Sequence, residues 1–272
     1  MADDSDHRET VMEVIRSIGH RPNKELGQNF LIDPNVARRI VSTADVAGRN
    51  VVEIGAGTGA LTAPLADVAR TVVAYEVDDS LELVLRRATA DKEYVEVRMA
   101  DATTVDLDSA LGDGSWAMVS NLPYNVGTPI LLDALQHAHR IDRFVVMVQR
   151  EVADRLIAEP GSRTYGVPSV ITGLHANGHI AFTVPPTVFE PRPNVDSAVV
   201  VLERVSSSPH AAGAIAVAKA AFNQRRKMIR RSLRDLATSP EWIEAAGVDP
   251  TTRAEQLFPN QYLDLAASLE AR

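Results

Sequence analysis

Residues 121–124 read Asn-Leu-Pro-Tyr and follow directly on WAMVS (116–120), five mostly apolar residues with the length of one buried strand. A plain turn at a strand end would use small polar residues. This one offers a side-chain amide, a backbone carbonyl held by the fixed φ of a proline, and an aromatic face. The set suits the exocyclic amine of adenine, a poor nucleophile because its lone pair is delocalised into the ring. The Asn121 side-chain oxygen and the Leu122 carbonyl could each accept one N–H of that amine and bias its nitrogen toward a tetrahedral shape. Pro123 would hold the carbonyl in place, and Tyr124 would give the base a stacking surface. No general base is demanded, since an aryl ammonium sheds its proton readily; Asn121, being neutral, could not act as one. A base inside RNA must leave its stack to reach such a pocket. Phe189, in the proline-stiffened stretch VPPTVFEPRPNVDS, is the candidate second ring of the sandwich, with core packing as the alternative. A proline turn with a packed tyrosine is the competing reading of NLPY, and three strand ends upstream count against it.

Those strand ends describe a second ligand. VVEI (51–54) runs into EIGAGTG (53–59), where Gly55, Gly57 and Gly59 are spaced GxGxG. Glycine at a strand-to-helix turn permits positive φ and close approach of a ligand to the backbone. The dinucleotide fingerprint GxGxxG has its third glycine one residue later, so a pyrophosphate over the helix fits less well; a tight turn without a ligand is the other reading. TVVAYE (71–76) ends in Glu76, a carboxylate able to accept from both hydroxyls of a ribose. VEVRMA (95–100) is followed by Asp101, able to accept from the amine of an adenine. Backbone, ribose acceptor and amine acceptor at consecutive strand ends point to an adenosine-containing ligand. With no phosphate cradle, S-adenosylmethionine suits them better than NAD, and the chemistry becomes methyl transfer.

The frame that positions these residues is legible as alternation. Short β-branched runs are separated by helical patterns such as ALTAPLADVA, DSLELVLRRAT and TPILLDALQHA, which indicates an α/β fold with a parallel sheet and helices on both faces. HIAFTV (179–184) and SAVVVLER (197–204) leave no room for a helix between them and are expected as an antiparallel element at the sheet edge. The small, polar string SSSPHAAGA (206–214) sets the expected boundary between a first domain, 1–205, and a tail, 206–272. At 272 residues and 45% apolar content the chain has room for one large domain, or a medium one with a small appendage.

Composition narrows the chemistry. There is no cysteine, which removes disulfides, thiolate metal sites and cysteine nucleophiles. The seven histidines show no metal spacing, and none of the chemistry above calls for a metal. No apolar run approaches a membrane span, and the start MADDSDHRET is acidic where a secretory signal would be basic, so an intracellular chain is expected. The formal charge is −8, which argues against nucleic-acid binding until the chain is divided. Residues 206–272 hold nine Lys/Arg against seven Asp/Glu, and KAAFNQRRKMIRRSLR (219–234) has seven cations and no acid. Read as a helix, this stretch places Lys227, Arg230, Arg231 and Arg234 on one face and Phe222, Ile229, Leu233 and Leu236 on another. Arg226, Lys227, Arg230 and Arg231 are therefore the expected RNA contacts, with a merely solvated surface as the alternative.

Six blocks, in order, carry a resemblance: GQNFLID (27–33), EIGAGTG, SNLPYN (120–125), MVQREVADRL (147–156), FTVPPTVFEPRPNVDSAVV (182–200) and FNQRRK (222–227). From about residue 24 to 269 the chain resembles the KsgA-type small-subunit ribosomal RNA adenine dimethyltransferases. The resemblance implies a Rossmann-like methyltransferase domain with a small all-helical C-terminal domain. It also implies transfer of two methyl groups to N6 of each of two adjacent adenosines near the 3′ end of 16S rRNA, late in small-subunit assembly. Asn29 and Leu31 would join Gly55, Glu76, Asp101 and Asn121 around the cofactor, in a cytoplasmic, monomeric enzyme whose partner is the small ribosomal subunit. The chain departs from the pattern in its acidic total charge and in Pro168 of YGVPS, where a residue continuing a helix is expected. Other readings are a methyltransferase of large-subunit rRNA of the antibiotic-resistance type, an assembly factor in which catalysis is secondary, and a nicotinamide oxidoreductase.

Overall fold

The computed structural model describes Ile15, Gly19 and residues 21–23, 25–236 and 241–272. They form two compact units, the described residues of 1–153 with Gly178–Glu203, and Asp154–Asn177 with Arg204–Arg272.

The first unit is built on a seven-stranded sheet. After β1 (Phe30–Leu31) and α1 (Pro34–Ala44), strands β2 (Asn50–Ile54), β3 (Thr71–Glu76), β4 (Val95–Met99), β5 (Trp116–Asn121) and β6 (Ile141–Gln149) alternate with α2 (Thr62–Ala66), α3 (Glu82–Ala88), α4 (Leu107–Ala110) and α5 (Gly127–His137). The spatial order is β4-β3-β2-β5-β6-β9-β7, with β7 at Ala176–Val184 and β9 at Ser197–Arg204. Strands β2 to β6 are mutually parallel, and β2 and β5 are buried along almost their whole length, as expected of strands covered on both faces. The antiparallel edge is present: β9 pairs with β6 from Arg143↔Glu203 to Gln149↔Ser197. The local signals are ordinary ones. The side chain of Asp33 accepts from the Asn35 N–H and Pro34 opens the first turn of α1, whose Ala37, Ile40, Val41 and Ala44 form one buried stripe.

A second, two-stranded ladder corrects one expectation. β1 pairs antiparallel with β8 (Phe189–Glu190), in the register Leu31↔Phe189. Residues directly opposite in such a pair project to the same side. Leu31 and Phe189 accordingly enter the core together, at 3% and 2% exposure, among Val184, Val188 and Val199. In this structure Phe189 packs in the core and its ring does not line the cavity, the position expected of a second ring over a target base.

The second unit is helical apart from the start of β7. It contains the last three residues of α6 (Arg150–Leu156), then α7 (Val167–His175), α8 (Ala211–Asn223), α9 (Ile229–Ser232), α10 (Glu241–Ala245) and α11 (Pro259–Glu270). The division near the linker falls at 203/204, within two residues of the expected 205/206 boundary, and residues 154–177 pack with the tail as well. The Tyr165 hydroxyl donates to the Leu257 carbonyl (2.8 Å), and its ring lies 6.1 Å from that of Phe222, which in turn lies 6.5 Å from Tyr262. A Cβ on Gly173 would come 2.7 Å from Cγ of Pro259, so that helix contact requires glycine. Pro168 sits in the first turn of α7, where its missing N–H costs nothing.

The basic stretch is not one helix. α8 carries Lys219 but ends at Asn223, before the other six cations, and α9 is four residues long. Backbone bonds to the 249–253 loop capture the chain instead: Ile229 N–H to the Thr252 carbonyl (2.7 Å), Arg230 N–H to the Pro250 carbonyl (3.1 Å), and a bridge between Met228 and Arg253. Lys227 therefore lies in a turn and shares no helical face with Arg230, Arg231 and Arg234.

Phe189→Ala should destabilise the protein by about 3–5 kcal/mol in denaturant unfolding, the usual cost of emptying a buried aromatic site. A ring that served only to stack on a base would leave the unfolding midpoint where it is.

Candidate active site

At the carboxyl ends of β2, β3 and β5 the sheet opens into a cavity, beside the point where the strand order reverses between β2 and β5. Asn29, Leu31, Gly55, Glu76, Asp101, Asn121, Leu122, Pro123 and Tyr124 all line it. The parallel register makes this possible, since strands running the same way deliver their final residues to one edge. Gly55 (φ 76°) and Gly57 (φ 57°) take left-handed backbone, and a Cβ on either would sit 3.2 Å from a ring, that of Pro123 or of Phe30. The glycine loop and NLPY are thus in direct contact.

Glu76 is 5% exposed and already holds backbone. Its Oε2 accepts from the Gly57 N–H (2.7 Å), and its Oε1 from the N–H groups of Val77 and Asp78 (both 2.9 Å). Burial pushes its pKa up, against the pull of these donors. Two carboxylate oxygens offer about four acceptor sites, so by count one remains for a ligand. Asp101 is exposed; the Thr103 hydroxyl (2.7 Å) and N–H (2.9 Å) both donate to its Oδ1 and hold its pKa below the usual carboxylate range. Its Oδ2 accepts nothing among the described residues.

The opposite wall is neutral. Asn121 Nδ2 donates to the Asn29 carbonyl (3.1 Å), which leaves Oδ1 buried without a partner among the described residues. The next carbonyl, that of Leu122, accepts no hydrogen bond from any described residue. Tyr124 is fixed by its hydroxyl, 2.5 Å from Oγ of the buried Ser197 on β9, and burial pushes the phenol pKa up. Residues 121 and 122 of the cavity lining therefore carry two uncharged acceptors without a partner among the described residues, next to an immobilised ring.

Glu53 is a cavity residue that motif reading passed over. It stands in β2 at 1% exposure, lines the cavity, and its Oε2 has no partner among the described residues. Burial, reinforced by the negative charge of Glu76, pushes its pKa up to about 8. A carboxylate inside NVVEI, a strand buried at every position, was the available signal. A buried carboxyl with one oxygen unpartnered beside the glycine loop offers an acceptor to a ligand donor such as an ammonium group. Arg226, Lys227, Arg230 and Arg231 belong to the other unit and line no part of the cavity; all four are exposed. Arg225 is used structurally, on Glu255 (2.7 Å) and the Arg163 carbonyl (2.9 Å).

Residues 19–271 match the family described as ribosomal RNA adenine dimethylase. The chain belongs to that family. It is 44% identical to the ribosomal RNA small subunit methyltransferase A of Kineococcus radiotolerans, over 94% of this chain and 89% of that one. It is 42% identical to the protein of the same name from Cutibacterium acnes, over 96% and 92%. Among solved structures, the 23S rRNA methyltransferase ErmE is 28% identical with a TM-score of 0.68, covering 89% of this chain and all of that one. A dimethyladenosine transferase from Plasmodium falciparum, 21% identical with a TM-score of 0.72 over 86% and 94%, shares the fold. The rRNA adenine dimethylase chain thus has a Rossmann-like methyltransferase sheet with a helical C-terminal region.

Because the Glu53 carboxyl titrates near 8 when folded and near 4.5 when unfolded, the native state binds the extra proton between those values. Its contribution is fully present below about pH 4.5 and is lost as pH rises through about 8. Glu53→Gln removes that loss. Its melting temperature should exceed that of the native sequence by about 5 °C or more at pH 8.5, with the gain shrinking toward pH 5. A gain independent of pH would contradict the assignment.

Proposed function

We propose that this protein transfers methyl groups from S-adenosylmethionine to N6 of two adjacent adenosines near the 3′ end of 16S rRNA, during late assembly of the small ribosomal subunit in the cytoplasm. The observation that carries the reading is the Asn121 amide, whose nitrogen is committed to Asn29 and whose oxygen is buried, unpartnered and next to the Leu122 carbonyl. Relatives named small subunit methyltransferase A, at 44% and 42% identity, support the small-subunit target over the large-subunit one, represented by ErmE at 28%.

The donor would be held by Asn29 and Leu31, by the Gly55 loop, by Glu76 at its ribose, by Asp101 at its adenine amine and by Glu53 at its ammonium. When bound it supplies an electrophilic methyl group on a sulfonium. The protein does the rest by placement. Asn121 Oδ1 and the Leu122 carbonyl accept the two N–H bonds of the extruded adenine, drawing the nitrogen out of conjugation and turning its lone pair away from both acceptors. Pro123, packed on Gly55, keeps that carbonyl from rotating, and Tyr124, tethered to Ser197, carries the ring of the base. The N–C bond would form from the nitrogen lone pair as the methyl–sulfur bond breaks, its electron pair staying on sulfur as a neutral thioether, and the surplus proton would leave to water without a protein base. Correct orientation of this kind is worth roughly 7–11 kcal/mol. The exposed cations Arg226, Lys227, Arg230 and Arg231 would meet rRNA phosphates.

Asn121→Ala should lower kcat on immature small subunits by about 10²–10³-fold, as loss of one preorganised polar group does elsewhere. A kcat near that of the native sequence would refute the reading. Reversing Arg226, Lys227, Arg230 and Arg231 to glutamate should weaken subunit binding and flatten its dependence on salt concentration, since fewer counterions are then released; an unchanged salt slope in filter binding would place the RNA contact elsewhere.

A further inference from the structure

The orientation of the Asn121 amide is set from outside β5. It depends on the Asn29 carbonyl, which belongs to the segment 25–31, whose residues 26–31 line the cavity. This segment is fastened on both sides. On one, Gln28 Nε2 donates to Asp78 Oδ2 (2.7 Å), while Gln28 Oε1 accepts from the Asn23 N–H (2.7 Å), so neither end of the Gln28 amide is free to exchange. Asp78 is itself fixed: its Oδ1 accepts from the Ser80 N–H (3.0 Å) and hydroxyl (2.6 Å), and its own N–H donates to Glu76 Oε1. On the other side Asn125, in the loop after NLPY, donates to the Glu25 carbonyl and touches Gly27 so closely that a Cβ there would lie 2.6 Å from its Oδ1. Asn29 follows both fastenings directly in the chain, with its own side chain donating to the Gly27 carbonyl (3.1 Å).

We infer that Gln28, working through Asp78, is a positioning residue for the methyl transfer: the Gln28–Asp78 latch holds the Asn29 carbonyl where it selects the productive face of the Asn121 amide. The inference rests on the proposed function. An amide's two ends are nearly isosteric, and only a fixed hydrogen-bond partner distinguishes them. With the latch open, the Asn29 carbonyl can drift. The Asn121 amide is then free to turn its N–H groups toward the adenine amine, donor against donor. Because Asp78 also braces Glu76, the same contacts connect the end of the cavity that receives the ribose to the end that receives the base.

The geometry supplies its own rescue. Gln28→Glu alone sets a carboxylate against the Asp78 carboxylate. Asp78→Asn alone keeps the bonds to Ser80 but sets an NH2 against the Gln28 NH2. Together they restore one hydrogen bond with donor and acceptor exchanged, at unchanged net charge. The expected result is a roughly tenfold fall in kcat on immature small subunits in each single variant, with KM for both substrates within about threefold, and recovery to within about threefold in the double variant. A second readout needs no catalysis. In the cofactor-free protein labelled with 15N-asparagine, the side-chain NH2 signal of Asn121, assigned by its absence in Asn121→Ala, should shift in both single variants and return in the double. An unshifted signal with unaltered kcat in Gln28→Glu overturns the inference, as do losses that the double variant fails to recover. If the native protein itself does not methylate the small subunit, the proposed function falls, while the signal of Asn121 still tests the latch.

Discussion

The chemistry of the first unit depends on which way round one amide faces. Asn121 gives its nitrogen to a backbone carbonyl and keeps its oxygen buried without a donor. A buried acceptor left unsatisfied costs about 1–3 kcal/mol, and native structures contain few of them. This one shares its cavity with another, Oε2 of Glu53. Two such costs in one pocket have a common explanation in the proposed ligands, whose donors would meet them: an amine at the neutral amide, an ammonium at the carboxyl. The division of charge matters. Carboxylates 53, 76 and 101 surround the part of the cavity suited to hydroxyl, ammonium and adenine donors, whereas the acceptors offered to the reacting amine are uncharged and leave its lone pair available.

Placing those groups is the work of the sheet. Residues 29, 53, 76, 101 and 121 come from separate stretches of chain, yet β2, β3, β4 and β5 run parallel and end along one edge, so successive strand ends converge on one ligand. Glycine at 55 and 57 removes the side chains that would otherwise keep the NLPY loop and the Phe30 ring from closing on the glycine loop. Family membership, over residues 19–271, and the fold shared with ErmE agree with this construction.

Much of this was legible in the sequence because it is local. Buried parallel strands read as β-branched runs, and the residues at their carboxyl ends that line the cavity follow from where those runs stop. What was missed depends on contacts between distant residues. Gln28 meets Asp78 fifty positions away, and no pattern around either residue announces the pairing. Phe189 sits in a proline-rich stretch that reads as an exposed loop, and a two-residue ladder with β1 is enough to draw it into the core. The basic run has good helical spacing, but its backbone is claimed by Pro250 and Thr252, so tertiary hydrogen bonds overrule the periodicity. Residues 154–177 join the tail for a similar reason, since they look like part of the alternating domain until Tyr165 is seen packed on Phe222. Glu53 was visible in the sequence throughout, and its meaning required knowing that every neighbour in β2 is buried.

The most direct test of the account is a crystal structure of the protein with S-adenosylhomocysteine and adenosine as the base. The adenosine amino nitrogen should lie about 2.7–3.2 Å from both Asn121 Oδ1 and the Leu122 carbonyl oxygen, with the Tyr124 ring parallel to the purine. An amino nitrogen held by other groups, or an Asn121 oxygen turned to the Asn29 side with its nitrogen facing the purine, would contradict it.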